Sequence, residues 1–194
     1  MIYNELAKVL SNKEIAEGIF QTDFFSPNIS AISLPGQFVN ILPSIKWANV
    51  MRRPMSIANQ GRDQISIIYK PIGEGTRIMA NWDIGEEVDL IGPLGNNWEG
   101  YKSSLPVIIG GGVGIAPIIN FHYKLQSERI QHILIMGARH EAEHFLNHDP
   151  EQNIFLSTDD GSLGVKGTVV DVLKELYPNS IHPDKAKLFS CGPP

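Results

Sequence analysis

The stretch LPVIIGGGVGIAPIINFHYKLQSE, residues 105–128, decides the fold. Residues 105–110 form a short apolar run ending in glycines. Ile115, Ile118, Ile119, Tyr123 and Gln126 then recur at near-helical intervals, so a strand hands over to a helix through a glycine turn. HILIMG (132–137), NIFLST (153–158) and AKLFSC (186–191) repeat the short apolar run. TVVDVLKELY (168–177) supplies a second helix with Val169, Val172, Leu173 and Leu176 on one face. Strands alternating with helices predict a parallel sheet whose ligand site lies at the carboxyl ends of its strands.

The glycine turn runs from Gly110 through Gly111, Gly112 and Val113 to Gly114, with Pro117 just beyond. Missing side chains let a backbone approach a pyrophosphate, and a helix amino end offers unpaired N–H donors and a partial positive charge. Anion binding is the functional reading; a tight turn required only by close packing is the other. Ile115 stands where the usual dinucleotide fingerprint places its third glycine, and no Gly-Lys-Ser/Thr follows as a phosphate-binding P-loop requires. Neighbouring motifs must decide.

Working outward, the first half consists of short apolar stretches broken by Pro, Gly and Asn, at 18–25, 36–42, 64–70 and 87–91. In QISIIYK, Ile65, Ile67 and Tyr69 alternate with polar neighbours, the period of a half-buried strand. Several such strands predict a closed antiparallel barrel or sandwich. Turn formers in GNNWEGY (95–101) mark the boundary, giving two domains, 1–98 and 99–194.

Composition narrows the function. A net charge of −5 over 194 residues, without a basic run, argues against nucleic acid as a partner. No apolar stretch approaches the roughly 20 residues needed to span a bilayer, and the first ten residues lack the regions of a signal peptide. A cytoplasmic protein is the default expectation. Cys191 is the single cysteine, so this chain alone builds neither a disulfide nor a thiolate-bound zinc or iron–sulfur site.

His140-Glu141-Ala142-Glu143-His144 satisfies the H-E-x-x-H zinc pattern, and His148 is at an accessible spacing for a third ligand. The motif is short, however, and directly follows an expected strand instead of lying within a long apolar helix. A solvated polar helix start with no metal is the expectation, and a zinc hydrolase the rival class. His122, His132 and His182 are scattered, with no nucleophile to pair them.

Arg53-Pro54-Met55-Ser56, preceded by PGQFVNI, fits an R-x-x-S/T signature. YKPIGEGT, GEEVDLIGPLGNNW, GGGVGIAP, TDDGSLGVKG and FSCGPP follow in order. Across nearly the whole chain this series resembles the ferredoxin-reductase-like flavoproteins. Within them its wording is most similar to the electron-transfer subunits of NAD-dependent dihydroorotate dehydrogenases. That resemblance implies an FAD-binding antiparallel β-barrel followed by an NAD-binding α/β domain.

By the resemblance, Arg53 holds the FAD pyrophosphate, Ser56 lies near the hydride-accepting flavin nitrogen, and Pro54 and Met55 shape the backbone beside the ring. Ile68, Tyr69 and Lys70 line the flavin, although alternation equally puts Tyr69 in the core. Gly75 and Thr76 donate to the pyrophosphate from backbone and hydroxyl. Gly110 to Gly114 and Pro117 face the NAD pyrophosphate, while Cys191, Gly192 and Pro193 lie beside the nicotinamide, with Ser56 and Cys191 closest to the chemistry. Asp159 and Asp160 either meet the adenosine ribose or form a turn. The implied reaction passes hydride between nicotinamide and flavin, with position supplied by protein and chemistry by cofactors.

The implied partner is an FMN-containing, dihydroorotate-oxidising catalytic subunit, whose electrons reach NAD in a pyrimidine-synthesis step. A free-standing flavin or ferredoxin reductase is the alternative. The resemblance also implies a 2Fe-2S cluster held by four thiolates, which one cysteine does not provide, so a C-terminally incomplete chain or a cluster-free variant is expected.

Overall fold

Six antiparallel strands close into a barrel in the first half of the computed structural model, which describes residues 1–44, 51–177 and 179–192. They are β1 (Tyr3–Ala16), β2 (Ile19–Phe25), β3 (Phe38–Leu42), β4 (Arg53–Gly61), β5 (Gln64–Tyr69) and β6 (Glu87–Leu94), in the spatial order β1-β2-β5-β4-β3-β6. Closure removes every sheet edge. Alternate side chains fill the interior, among them Phe24, Val39, Ile41, Ile57, Ile65, Ile67 and Leu90, with Met79 and Trp82 also packed in that core. Ile65, Ile67 and Tyr69 point into the core as expected, but β5 is not half-buried, because Ser66 and Ile68 on its other face are buried too. The Tyr69 hydroxyl meets Thr22 Oγ1 and donates to Asn12 Oδ1, and burial pushes its pKa up to about 12.

Strand β1 was not expected from the sequence. Its inward positions are Glu5, Ala7 and Val9, whereas its bulkiest early aliphatic, Leu6, is 69% exposed, so the apolar alternation that announces a half-buried strand is inverted. Glu5 has a structural task that explains a buried acid. Its carboxylate accepts from Ser26 Oγ at 2.6 Å, from the backbone N–H groups of Asn28 (3.1 Å) and Ile29 (3.2 Å), and from Asn28 Nδ2 at 3.0 Å. It thereby caps the short helix α1 (Pro27–Ile32), whose own N-cap, Ser26, makes no capping bond.

The second half carries β7 (Leu105–Gly111), α3 (Ile115–Ser127), β8 (Ile133–Ala138), β9 (Ile154–Thr158), β10 (Val165–Lys166), α4 (Val169–Leu176) and β11 (Ala186–Cys191). A further short helix, α2 (Glu74–Met79), belongs to the barrel half. The five strands form one parallel sheet in the order β10-β9-β8-β7-β11, as the alternating pattern predicts. Both faces of β7 are covered. Ile108 packs with Ile115, Ile118, Phe121 and Leu125 of α3, while Val107 and Ile109 pack with Val172 from α4. The expected α4 face is seen, with Val169, Leu173 and Leu176 packed around Val172.

The α3 face is corrected. Tyr123 and Gln126 are exposed, and Phe121, His122 and Leu125 are buried instead. One turn on from Ile118 the helix reaches Phe121, whose ring meets Trp98, Tyr101 and Phe189 at 5.0 to 5.1 Å. The chain divides into units Met1–Asn97 and Trp98–Pro194, and Trp98 accordingly packs in the second core.

Two of the histidines that look scattered in sequence meet in this unit. His132 Nδ1 lies 2.8 Å from the Ile130 carbonyl, which can only accept, so that nitrogen carries the proton. His132 Nε2 then accepts from His122 Nδ1–H at 2.8 Å. Burial, aided by His132, pushes His122 down to about 4, and burial lowers His132 as well. Both folded values lie below the unfolded one, so the neutral pair stabilises fully above the ordinary histidine range. That stability is lost as pH falls from about 6.5 towards 4. Urea midpoints measured across this window are expected to show a loss of about 3 kcal/mol that is much reduced in His122→Asn, where only His132 remains. An equal acid loss in that variant would assign the pH dependence to other groups.

Candidate functional site

Residues 110–114 lie at the carboxyl end of β7, where a single 3-10 turn over Gly112–Gly114 leads into α3. Gly112 adopts φ 54°, a left-handed conformation that a side chain disfavours. A Cβ on Gly114 would lie 2.4 Å from the Cys191 carbonyl oxygen and 2.6 Å from Gly192 Cα. A Cβ on Gly192 would meet the Gly111 carbonyl oxygen at 3.2 Å. The turn and the end of β11 therefore touch backbone to backbone, and close packing accounts for Gly114 and Gly192.

Packing does not account for the helix start. Among the described residues no side chain caps α3, and no acidic residue lies in its first turn. Pro117 occupies the third helical position, where its missing N–H costs nothing. In contrast, α4 is closed by Asp171, which accepts from Thr168 N (2.8 Å) and Oγ1 (2.7 Å). The open start of α3 is suited to an anion. The sheet order adds the location. From β7 the chain runs to β8 on one side and returns to place β11 on the other, so the switch point of the topology lies at Gly110–Gly114 and Cys191–Gly192. Cys191 is half-buried, and burial raises its thiol pKa, which keeps it a neutral thiol near pH 7. Pro193 lies outside the described residues.

Asp159 and Asp160 follow β9 and are exposed. Their N–H groups donate to the carbonyls of Ala138 (3.2 Å) and Arg139 (3.3 Å), which ties the ends of β8 and β9 together. The Asp160 carboxylate accepts from Ser162 Oγ and N at 2.7 and 2.9 Å, and these bonds hold it below the usual carboxylate range. Ser162 Oγ in turn accepts from Glu141 N–H at 2.8 Å.

The H-E-x-x-H segment is not a solvated helix start. Glu141–Glu143 is one 3-10 turn, and Glu143 is buried against Arg139. His144 Nε2 contacts the Ser157 carbonyl at 3.0 Å, and burial lowers its pKa. His148 Nδ1 accepts from Leu156 N–H at 3.0 Å. Among the described residues no three His, Cys, Asp or Glu side chains gather as a metal centre. The Arg139–Glu143 pair was not foreseen, although an R-x-x-x-E spacing at a strand end was its available signal.

In the barrel, Ser56, Met55, Pro54 and Arg53 pair with Phe38, Val39, Asn40 and Ile41 of β3, while the β4–β5 register starts at Ile57. Two adjacent arginines have different duties. Arg52 bonds the Asp89 carboxylate at 2.7 Å and the carbonyls of Asn40 and Asp89, so it braces the barrel wall. Arg53 Nη1 donates to the Arg52 carbonyl at 3.4 Å. Ile68 is buried but lies outside the interior cluster, and Lys70 follows the end of β5. Gly75 and Thr76 occupy the first turn of α2. Thr76 Oγ1 accepts from Gly73 N–H and donates to the Gly73 carbonyl, both at 3.0 Å, so its hydroxyl is engaged locally.

No family model matches the chain. It is 35% identical over 193 residues to the dihydroorotate dehydrogenase B (NAD(+)) electron transfer subunit of Fusobacterium nucleatum, covering 95% of this chain and 74% of the relative. It is 34% identical over 194 residues to the subunit of the same name from Bacillus velezensis, covering 95% and 73%. Its fold matches a solved NADH-dependent reduced ferredoxin-NADP oxidoreductase with a TM-score of 0.82 and 26% identity, over 97% of this chain and 68% of that one.

The backbone contact between α3 and β11 is testable by one methyl group. Gly114→Ala is expected to cost about 1–3 kcal/mol in denaturant unfolding, because the carbon must displace a carbonyl. Gly61→Ala, where nothing lies within 4 Å, is the control. Equal stability of the two variants would contradict the close approach.

Proposed function

The chain belongs to the family of electron-transfer subunits of NAD-dependent dihydroorotate dehydrogenase B, and from that premise we propose that its barrel holds FAD and its α/β unit receives NAD(H). The observation that carries the reading is the uncapped start of α3, set at the switch point of a parallel sheet. A pyrophosphate there would be met by the backbone of Gly110, Gly111, Gly112, Val113 and Gly114, with Pro117, which has no N–H to leave unpaired, in the first helical turn. Cys191, Gly192 and Pro193 are assigned to the nicotinamide end, where a neutral thiol adds bulk and polarity without charge. Asp159 and Asp160 are assigned to the adenosine ribose.

In the barrel, Arg53 is the candidate anchor of the FAD pyrophosphate, since Arg52 is committed to Asp89. Ser56, Pro54 and Met55 would border the flavin from β4, and Ile68, Tyr69 and Lys70 from β5. The Tyr69 ring would support that wall from inside the barrel. Backbone N–H groups at Gly75 and Thr76 would supply further donors, because the Thr76 hydroxyl already serves Gly73. When bound, flavin exchanges a hydride with the nicotinamide and single electrons with other centres. The chain's part is to bind, orient and electrostatically balance the two ligands.

Electrons would come from a dihydroorotate-oxidising, FMN-containing subunit in the cytoplasm and leave on NAD. One cysteine cannot supply four thiolates, so no step is routed through a 2Fe-2S cluster on these residues. A second reading, a reductase acting without that partner, is favoured by the match to the ferredoxin-NADP oxidoreductase structure. A tight complex with a dihydroorotate-oxidising subunit separates the two.

Flavin extracted after reconstitution with FAD and FMN together is expected to be FAD. Arg53→Ala should weaken its retention by about ten- to a hundredfold, the loss of one charge-assisted bond. Recovery of FMN alone would overturn the assignment. In stopped flow NADH should reduce the bound flavin faster than NADPH, because Asp159 and Asp160 repel a 2′-phosphate; equal rates would remove them from the ribose.

A further inference from the structure

The segment YKPIGEGT, residues 69–76, carries Tyr69, Lys70, Gly75 and Thr76, all of them assigned to FAD. It leaves the end of β5 and runs into α2, and between those elements Ile72, Gly73 and Glu74 are exposed. Burial therefore does little to fix this stretch, and its path depends on how its two ends are held.

One side chain reaches both ends. Asn12 lies on β1 opposite Thr22 of β2. Its Nδ2 donates to the Met79 carbonyl at 3.1 Å and to the Trp82 carbonyl at 3.2 Å, at the far end of α2. Its Oδ1 accepts from the Thr22 hydroxyl at 2.7 Å and from the Tyr69 hydroxyl at 3.3 Å. The two carbonyls can only accept, so the amide has one orientation, in which both N–H groups and both lone pairs are used. The apolar core holds the Met79 and Trp82 side chains, but apolar contact is non-directional. The amide instead ties the backbone at the end of α2 to Tyr69 with directed bonds.

We infer that Asn12 is a positioning residue for FAD. By clamping both ends of residues 69–82 it sets the donors at Gly75 and Thr76 in place relative to Tyr69 and Lys70. A flavin joined to a second phosphate needs both groups at once. This rests on the barrel being the FAD site, and it goes beyond the residues assigned to the flavin by naming one that acts through them.

The test compares the dissociation constants of FAD and FMN for the full chain, read by flavin fluorescence, with urea midpoints measured alongside. FMN has the ring and the first phosphate but not the adenylate half, so it makes no use of the second-phosphate donors. Asn12→Asp keeps the acceptor side and sets a carboxylate oxygen against the two carbonyls; Asn12→Ala removes the clamp without adding charge. In each, FAD should bind about tenfold more weakly, while FMN changes by less than about twofold. Thr22→Val removes a hydroxyl from the same network and leaves the bonds of Asn12 to Met79, Trp82 and Tyr69. It should lower the urea midpoint and leave FAD affinity unchanged. If Asn12→Asp does not fold, Asn12→Ala carries the comparison. Equal weakening of both flavins, unchanged FAD binding, or the same loss of FAD in Thr22→Val would each overturn the inference. A parent chain that binds no FAD would overturn the proposed function, whereas a parent that binds FAD beside unaffected Asn12 variants would overturn this inference alone.

Discussion

Much in the α/β unit depends on a place where two backbones touch without side chains. Gly114 at the start of α3 faces the carbonyl of Cys191 and Gly192 Cα so closely that one added carbon would overlap them. This contact holds the end of β11 against the amino end of a helix that no side chain caps among the described residues. The contact thus sets a strand end beside an uncapped helix start, the two features that the proposed dinucleotide site would use. Packing and binding are not competing explanations of the glycine turn. Gly114 and Gly192 are accounted for by the first, and the proposed binding would use the strand end and helix start that their proximity brings together.

The barrel shows the complementary strategy, in which polar side chains are spent on closing the structure. Glu5 crosses from β1 to satisfy the first turn of α1, Arg52 binds Asp89 across the wall, and Thr76 engages Gly73. These bonds commit Glu5, Arg52 and the Thr76 hydroxyl to the fold itself. Arg139 is engaged likewise, its exposed guanidinium donating to the buried Glu143 carboxylate.

The α/β architecture was legible because its signals are local. Short apolar runs, two of which lead into a helical period, predict a parallel sheet, and the α4 face of Val169, Val172, Leu173 and Leu176 follows from spacing alone. The barrel was legible where strands alternate in the ordinary sense, as in Ile65, Ile67 and Tyr69. Strand β1 was hidden because its inward face holds an acid and an alanine. The inward face of α3 was misread at Tyr123 and Gln126 because the true one includes His122, a polar residue whose burial makes sense only beside His132.

By itself the sequence determined the order and type of most elements, the boundary region, and the ordered motifs from Arg53 to Cys191 that place the chain in its family. These depend on periodicity, turn chemistry and residue identity, all of which act over a few positions. Tertiary structure alone decided which polar groups are committed and which are open. Whether Arg52 is bound to Asp89, whether Thr76 has a proton to give, and whether Glu143 is a zinc-motif residue or the buried partner of Arg139 depend on groups brought together by the fold. A hydrogen bond is a relation between atoms in space, and spacing along the chain does not contain it.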